Sequence, residues 1–339
     1  MKSKLKLLAL SASLLAGFAA TPAHAYVYGD ASLAIQNLRL VVNGVTAGGV
    51  TNFTFTASDS ATLNGLSQFN SATCLGNGPG PGQITNCNAT APRLNPAASN
   101  APGSSAGATR GNLDFSYKGP AGGMTFSNAA ASIDTSELVG DASTATRQIT
   151  ESQLQGNGSA SATTSIQSIT GFAFTFTTGA NGTLSLNFGA NPDLFASIVE
   201  SMNGLFSAQG NLATVFSLQQ LSGGTSSATW NPSGTPGVND CVASGFTCTE
   251  TNDQENLNAT AATTTVNTSD AKSHGDTTFS LFGINVTGLS AGTYRLTLSA
   301  TSSTQLSRLV VPEPGTVMLM GIGLAGLAFR SRRSKKQAA

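Results

Sequence analysis

Apolar and polar residues alternate with a period of two along much of this chain, and that period predicts β-strands. The clearest run is 171–178, where Phe172, Phe174 and Phe176 share one face. Thr178-Gly179-Ala180-Asn181-Gly182 follows as a turn, and 183–188 then places Leu184, Leu186 and Phe188 on one side. The pair reads as a β-hairpin closed by a short loop containing Asn-Gly. Further strands are expected over 34–42, 50–57 (Phe53 and Phe55 opposite Val50, Asn52, Thr54 and Thr56), 113–118, 212–221 and 279–286. Residues 226–231 carry Trp230, and 288–298 reads as a turn and a closing strand. One segment departs from the period of two. Asn191 suits an N-cap, Pro192 suits the first helical position, and Leu194, Phe195, Ile198, Val199, Met202, Leu205 and Phe206 recur at helical spacing. An amphipathic helix over about 191–206 is therefore predicted, lying over a sheet face or barrel mouth. The expected fold is mainly β: an antiparallel β-sandwich or jelly-roll-like body with one helix. No period of 20–50 residues recurs, which argues against a solenoid.

Both ends break this pattern. Lys2, Lys4 and Lys6 precede an apolar run over 7–20, and Ala23-His24-Ala25 then supplies small residues at a cleavage site. That order predicts a secretory signal peptide over 1–25, cut after Ala25 by signal peptidase. At the other end, Pro312-Glu313-Pro314-Gly315 leads into the 14 apolar residues of 316–329, then into Arg330, Arg332, Arg333, Lys335 and Lys336. The prolines fix their own φ and extend the residues before them. A hydrophobic helix is expected over about 315–330, with the basic cluster as its stop-transfer charges. Fourteen residues reach about 21 Å as a helix, against roughly 30 Å of hydrocarbon, so snorkelling Arg and Lys side chains are needed to extend the span. Between these segments lies an exported body, 26–311, built as one large sandwich or two subdomains, with a Gly/Pro-rich insertion over about 76–110.

The ends also distort the charge. The whole chain is neutral, with 16 basic and 16 acidic residues. Removing three lysines at the start, five basic residues at the end and Glu313 leaves 8 basic and 15 acidic residues, a net charge of −7. No basic stripe remains, which disfavours nucleic-acid binding. Charged residues make up 9% of the chain against an ordinary ~25%, their place taken by Ser, Thr, Asn, Gly and Ala. The four cysteines fit an oxidising compartment. Cys74–Cys87 and Cys241–Cys248 are the simplest of three connectivities, each expected to staple a Gly- and Pro-rich loop. Neither spacing is that of a zinc or redox motif.

Catalytic chemistry has little to draw on. Gly103-Ser104-Ser105-Ala106-Gly107 fits G-x-S-x-G but sits in a loop composition without the strand and helix a nucleophile elbow requires. His274, the one histidine beyond the signal peptide, has Asp270 and Asp276 as sequence neighbours and reads as a solvated loop residue. Asn252, Asp253, Glu255, Asn256 and Asn258 gather oxygen ligands in one loop, which makes a calcium site conceivable, although the spacing is not that of an EF-hand. No catalytic residue, metal ligand or cofactor is assigned.

Pro-Glu-Pro, a short hydrophobic helix and an Arg-rich tail, in that order, resemble the PEP-CTERM sorting domain of Gram-negative surface proteins. The resemblance implies that Pro312, Glu313, Pro314 and Gly315 are recognition residues for exosortase, a membrane-embedded protease that removes the helix and tail. The body is similar, over roughly 166–305, to the EDSAP family of exosortase-dependent surface proteins, which implies surface location and no activity. The expected function is a secreted, non-enzymatic structural or adhesive protein of the surface or biofilm matrix, held transiently in the inner membrane and suited to hydrated exopolysaccharide. The alternatives are a carbohydrate-binding β-sandwich with an exposed platform of Trp230 and Tyr117, and an extracellular hydrolase with converging carboxylates or a Ser–His contact.

Overall fold

The computed structural model describes residues 25–43, 45–46, 50–63, 66–77, 115–117, 119–120, 125–134, 144–155, 162–200, 203–235, 237–310 and 323. Among these residues sixteen strands follow in order: β1 (Tyr26–Val42), β2 (Val45–Thr46), β3 (Val50–Leu63), β4 (Leu66–Asn77), β5 (Phe126–Asp134), β6 (Thr144–Gln155), β7 (Ala162–Thr178) and β8 (Gly182–Val199). Then come β9 (Gly204–Gln220), β10 (Ser227–Trp230), β11 (Cys241–Ser244), β12 (Thr247–Asp253), β13 (Thr260–Thr263), β14 (Thr268–Lys272), β15 (Ser280–Leu289) and β16 (Gly292–Val310). They form two antiparallel sheets packed as a sandwich. Sheet I runs β12-β15-β8-β1-β6-β5, with β14 also on β8 and β2 on β1; sheet II runs β11-β10-β9-β16-β7-β3-β4, with β13 on β9.

The alternation in the sequence is realised, but the pairing is not local. β7 and β8, read above as a hairpin, lie in different sheets: β7 pairs with β3 and β16, while β8 pairs with β1 and β15. Each strand carries one strongly apolar face. Placing the two strands across the core from one another buries both faces at once, whereas a hairpin would set them side by side. Asn181, at φ 59°, makes the turn, and the Asn43 side chain ties its two shoulders by bonding Thr178 Oγ1 and the amide of Thr183.

The predicted helix over 191–206 is also corrected. Asn191–Val199 is the second half of β8, and Leu205 and Phe206 belong to β9 in the other sheet. Leu194, Ala196 and Ile198 satisfy a period of two as well as a helical one, and the long β1 ladder continues through them to Tyr26–Val199. β15 leaves β8 at Ala190 and β14 joins it at Leu194, so Pro192 falls in the gap between them, where a missing N–H disturbs the sheet least. Asn191 turns its amide to the carbonyls of Asp276 and Thr278 in that gap instead of capping a helix. The strand expected over 113–118 is likewise absent at Phe115–Tyr117, which is irregular and lies against the outside of sheet I.

The interior changes character along its length. Around the β7–β8 turn it is aromatic: Phe188 stacks on Phe282 and Phe216 at 5.1 and 5.2 Å, with Trp230 edge-on at 5.9 Å. Phe176 stacks on Tyr294 at 5.7 Å. Towards the end where β8 finishes and β9 starts, polar groups and glycine join the apolar core. Gln148 bonds Ser302 and Thr170 from one sheet to the other, and Ser152 bonds Thr304. Gly29 and Gly210 bring the sheets close there: a methyl group on Gly29 would meet Leu306 at 3.0 Å, and one on Gly210 would be driven into the carbonyl oxygen of Asp30.

Candidate functional site

Among the described residues, three places gather polar groups. The first lies on the outside of sheet I. The register sets Tyr28, Asp30 and Ser32 of β1 level with Ser197, Phe195 and Asp193 of β8 and with Gln153, Glu151 and Ile149 of β6. Residues 115–117 and 119–120 pass nearby. Tyr28 donates to Glu151 Oε1 at 2.7 Å, the amide of Gly119 donates to the same oxygen at 2.8 Å, and the Tyr117 and Ser32 hydroxyls meet at 2.7 Å. Asp30, Glu151 and Asp193 are all buried. Burial, reinforced by the Asp30 and Glu151 charges, pushes the Tyr28 hydroxyl pKa far up; burial with Asp30 and Asp193 does the same to Tyr117. Both hydroxyls are thereby kept protonated.

His274 closes this cluster. Its Nδ1 lies 2.7 Å from Asp193 Oδ1, the amide of Gly275 donates to Asp193 Oδ2, and the ring stacks on Phe195 at 4.6 Å. The partner is thus on β8, 81 residues away, and the sequence neighbours are engaged elsewhere: Asp270 with Lys272 and the amide of Ala262, Asp276 with Thr278. No sequence signal joins Asp193 to His274; only the pairing of β14 with β8 brings them together. Ser32 Oγ meets Tyr117 and not the imidazole, so among the described residues no serine hydroxyl completes a Ser–His–Asp relay here. Asp30, Asp193 and His274 each present a ligand atom within 4.8 Å of the others, a spacing that could hold a cation.

The second place is the corner where the sheets meet beside Trp230. Cys241 on β11 and Cys248 on β12 form a disulfide, Cα to Cα 5.8 Å, that joins an edge strand of sheet II to an edge strand of sheet I. The predicted loop staple is an inter-sheet staple. Cys87 lies outside the described residues, and so does its expected bond to Cys74 of β4. Next to the disulfide, Glu250 accepts from the Trp230 indole at 2.8 Å and from the amide of Asp240 at 3.0 Å. Asp253 Oδ2 accepts the amides of Ser233 and Gly234, while its Oδ1 is buried with no hydrogen-bond partner among the described residues. Burial first, then the nearby Glu250 charge, raises the Asp253 pKa to about 6. Asp240, Glu250 and Asp253 also lie within 4.8 Å of one another. Of the five oxygen ligands read from the sequence, only Asp253 joins this group. Glu255 bonds Ser273 and Ser280, Asn256 accepts the Asn258 amide, and Asn258 ties the backbone of Pro232 to that of Thr214. Trp230 is 1% exposed, so the surface platform expected from Trp230 and Tyr117 is not built.

The third place is where the chain leaves the body. Arg308 and Glu200, both buried, form a forked pair with Nε–Oε1 at 2.5 Å, and β16 stays bonded to β9 as far as Val310. Ala25 is buried and Tyr26 opens β1. Ala23, Gly103–Gly107, Pro312–Gly315, Arg330, Arg332, Arg333, Lys335 and Lys336 lie outside the described residues. Among the described residues, no helix is long and apolar enough to cross a membrane.

The family model for the PEP-CTERM protein-sorting motif matches residues 310–333. That signal implies exosortase-dependent sorting of an exported protein to the cell surface or the extracellular space. The match lies outside 166–305, where the likeness to the EDSAP family rests on the sequence reading alone. No curated protein and no solved structure matches the chain.

Proposed function

We propose that the body carried by this sorting motif is a non-enzymatic structural or adhesive component of the cell surface or biofilm matrix, released from the inner membrane by exosortase after signal peptidase has freed Tyr26. The observation that carries this reading is the junction at the C-terminus. The β16 ladder runs as far as Val310, and only Val311 lies between it and Pro312. A folded body and a processing signal therefore adjoin without a linker, as suits a cargo that is itself the product of processing.

The test is to express the full chain in a Gram-negative strain with an exosortase and in the same strain lacking it. C-terminal mass mapping of the first is expected to find chains ending between Val311 and Gly315 at the surface or in the matrix. The second should retain an intact Ala339 in the inner membrane. Full-length chains at the surface of both strains would overturn the reading.

A second reading, contact with exopolysaccharide, draws on the outer face of sheet II. Thr54, Thr56, Thr297 and Ser299 line a depression of about 190 Å³ over Gly171, with Arg295 at its edge. Hydroxyl rows of this kind offer both donors and acceptors to a hydrated glycan. Glycan-array binding by the full chain that is lost in Arg295→Ala with Thr56→Val would favour it.

A further inference from the structure

The strand register places the body's first and last residues at one end of the sandwich. Tyr26 pairs with Val199, the last residue of β8, and Val310 pairs with Gly204, the first residue of β9. Tyr26 and Val310 therefore lie where β8 ends and β9 begins. The same end carries an apolar pair. Leu205 and Leu309 face each other directly across β9 and β16 on the outside of sheet II, and they are 69% and 43% exposed. The β13–β14 connection reaches the same level, because Thr263 pairs with Ala208 and Thr268 with Ile198; Val266 within it is 39% exposed. Within 203–207, 264–268 and 305–310 the only charged residue is Arg308, which is turned inward onto Glu200. Such a face lacks the charges that would hold it away from a hydrocarbon boundary.

Its distance from the next apolar run is short. Five residues, two of them proline, separate Val310 from Thr316, and even fully extended they span only about 20 Å. We infer that this end of the sandwich rests on the bilayer surface while the run 316–329 is inserted, with the Leu205–Leu309 pair at the boundary between headgroups and acyl chains. The inference rests on the sorting reading of 316–329. Three partly exposed aliphatic side chains make a weak anchor on their own, and the tether makes their contact with lipid an intramolecular event at high effective concentration. Cleavage near Pro312 removes the tether, so the same face lets go when the body is released.

Tryptophan quenching by brominated lipid tests this in the full processed chain, Tyr26 to Ala339, reconstituted in phosphatidylethanolamine–phosphatidylglycerol vesicles. The one native tryptophan, Trp230, is buried and serves as the internal reference for a folded body. Leu205→Trp is expected to lose about half as much added emission as Ile322→Trp, as befits an interfacial depth of roughly 5–10 Å. Val242→Trp, at a site 74% exposed on β11, should lose none. If Ile322→Trp is quenched and Leu205→Trp is not, or if Val242→Trp is quenched equally, the docking is wrong. If Ile322→Trp itself is not quenched, the sorting reading fails first. Should the Trp230 reference show that Leu205→Trp misfolds, Leu309→Trp reports on the same pair.

Discussion

At the level of Phe188 the two sheets meet through Phe216, Trp230 and Phe282, whereas at the level of Gln148 they meet through Ser302, Thr170 and close-packed glycine. Ring contacts of the first kind supply area and dispersion, and they tolerate small shifts of one sheet over the other. Side-chain hydrogen bonds across a core are directional, and each costs free energy when left unmet, so the second kind fixes which residue stands opposite which. The aromatic end therefore contributes most of the cohesion, and the polar end contributes the registration. The chain enters and leaves the body at the polar end, where the Arg308–Glu200 pair closes the last turn of the ladder.

The largest effect should come from the aromatic end. Phe188→Ala opens a cavity among three rings and is expected to cost about 3–5 kcal/mol, read as a fall in the chemical denaturation midpoint. At the polar end, Arg308→Met alone should cost about 3 kcal/mol, because it strands the buried Glu200 carboxylate. Adding Glu200→Met should recover most of that loss, whereas a deficit that stays put would mean the clamp stabilises beyond its own desolvation. Gly210→Ala comes third, at about 1–3 kcal/mol, since the added methyl has backbone in its way and the sheets must part. If Gly210→Ala were instead silent, the close approach that distinguishes the polar end would be absent.

The sequence made the strands legible and hid their partners. Phe172, Phe174 and Phe176 announce a one-sided strand, yet nothing local says whether the next strand lies beside it or across the core. Asn191-Pro192 carries the chemistry of a helix start, and tertiary pairing with β1 overrides it. Asp193 and His274 meet because β14 follows β15's line along β8, a fact spread over 81 residues. The sorting motif was legible in full because its chemistry is contiguous: rigid prolines, an apolar run and basic residues, one after another. The Cys241–Cys248 bond was legible as a pair, while its role as a link between sheets depended on which edges β11 and β12 occupy.

The smallest effect belongs to the corner beside Trp230, at the outer edge of the aromatic end. With its pKa raised to about 6 by burial and by Glu250, Asp253 binds its proton more tightly in the folded state than in the unfolded chain, whose ordinary value is about 3.9. Between those values the native state holds more protons, so this residue's contribution to stability falls as pH rises from about 4 to about 6, then levels off. Asp270 and Asp276 act in the opposite sense: hydrogen bonds from the amides of Ala262 and Thr278 hold their pKa values down, giving stability that is lost on acidification. Those two groups are unchanged in Asp253→Asn and cancel in a comparison with the parent. The variant retains an oxygen for the Ser233 and Gly234 amides and never ionises. Its melting temperature relative to the parent should therefore climb across the pH 4 to 6 window and stay constant above it. A difference that is flat from pH 4 to 8 would mean that Asp253 titrates as an ordinary surface carboxylate, and that the aromatic packing around Trp230 stops short of this corner.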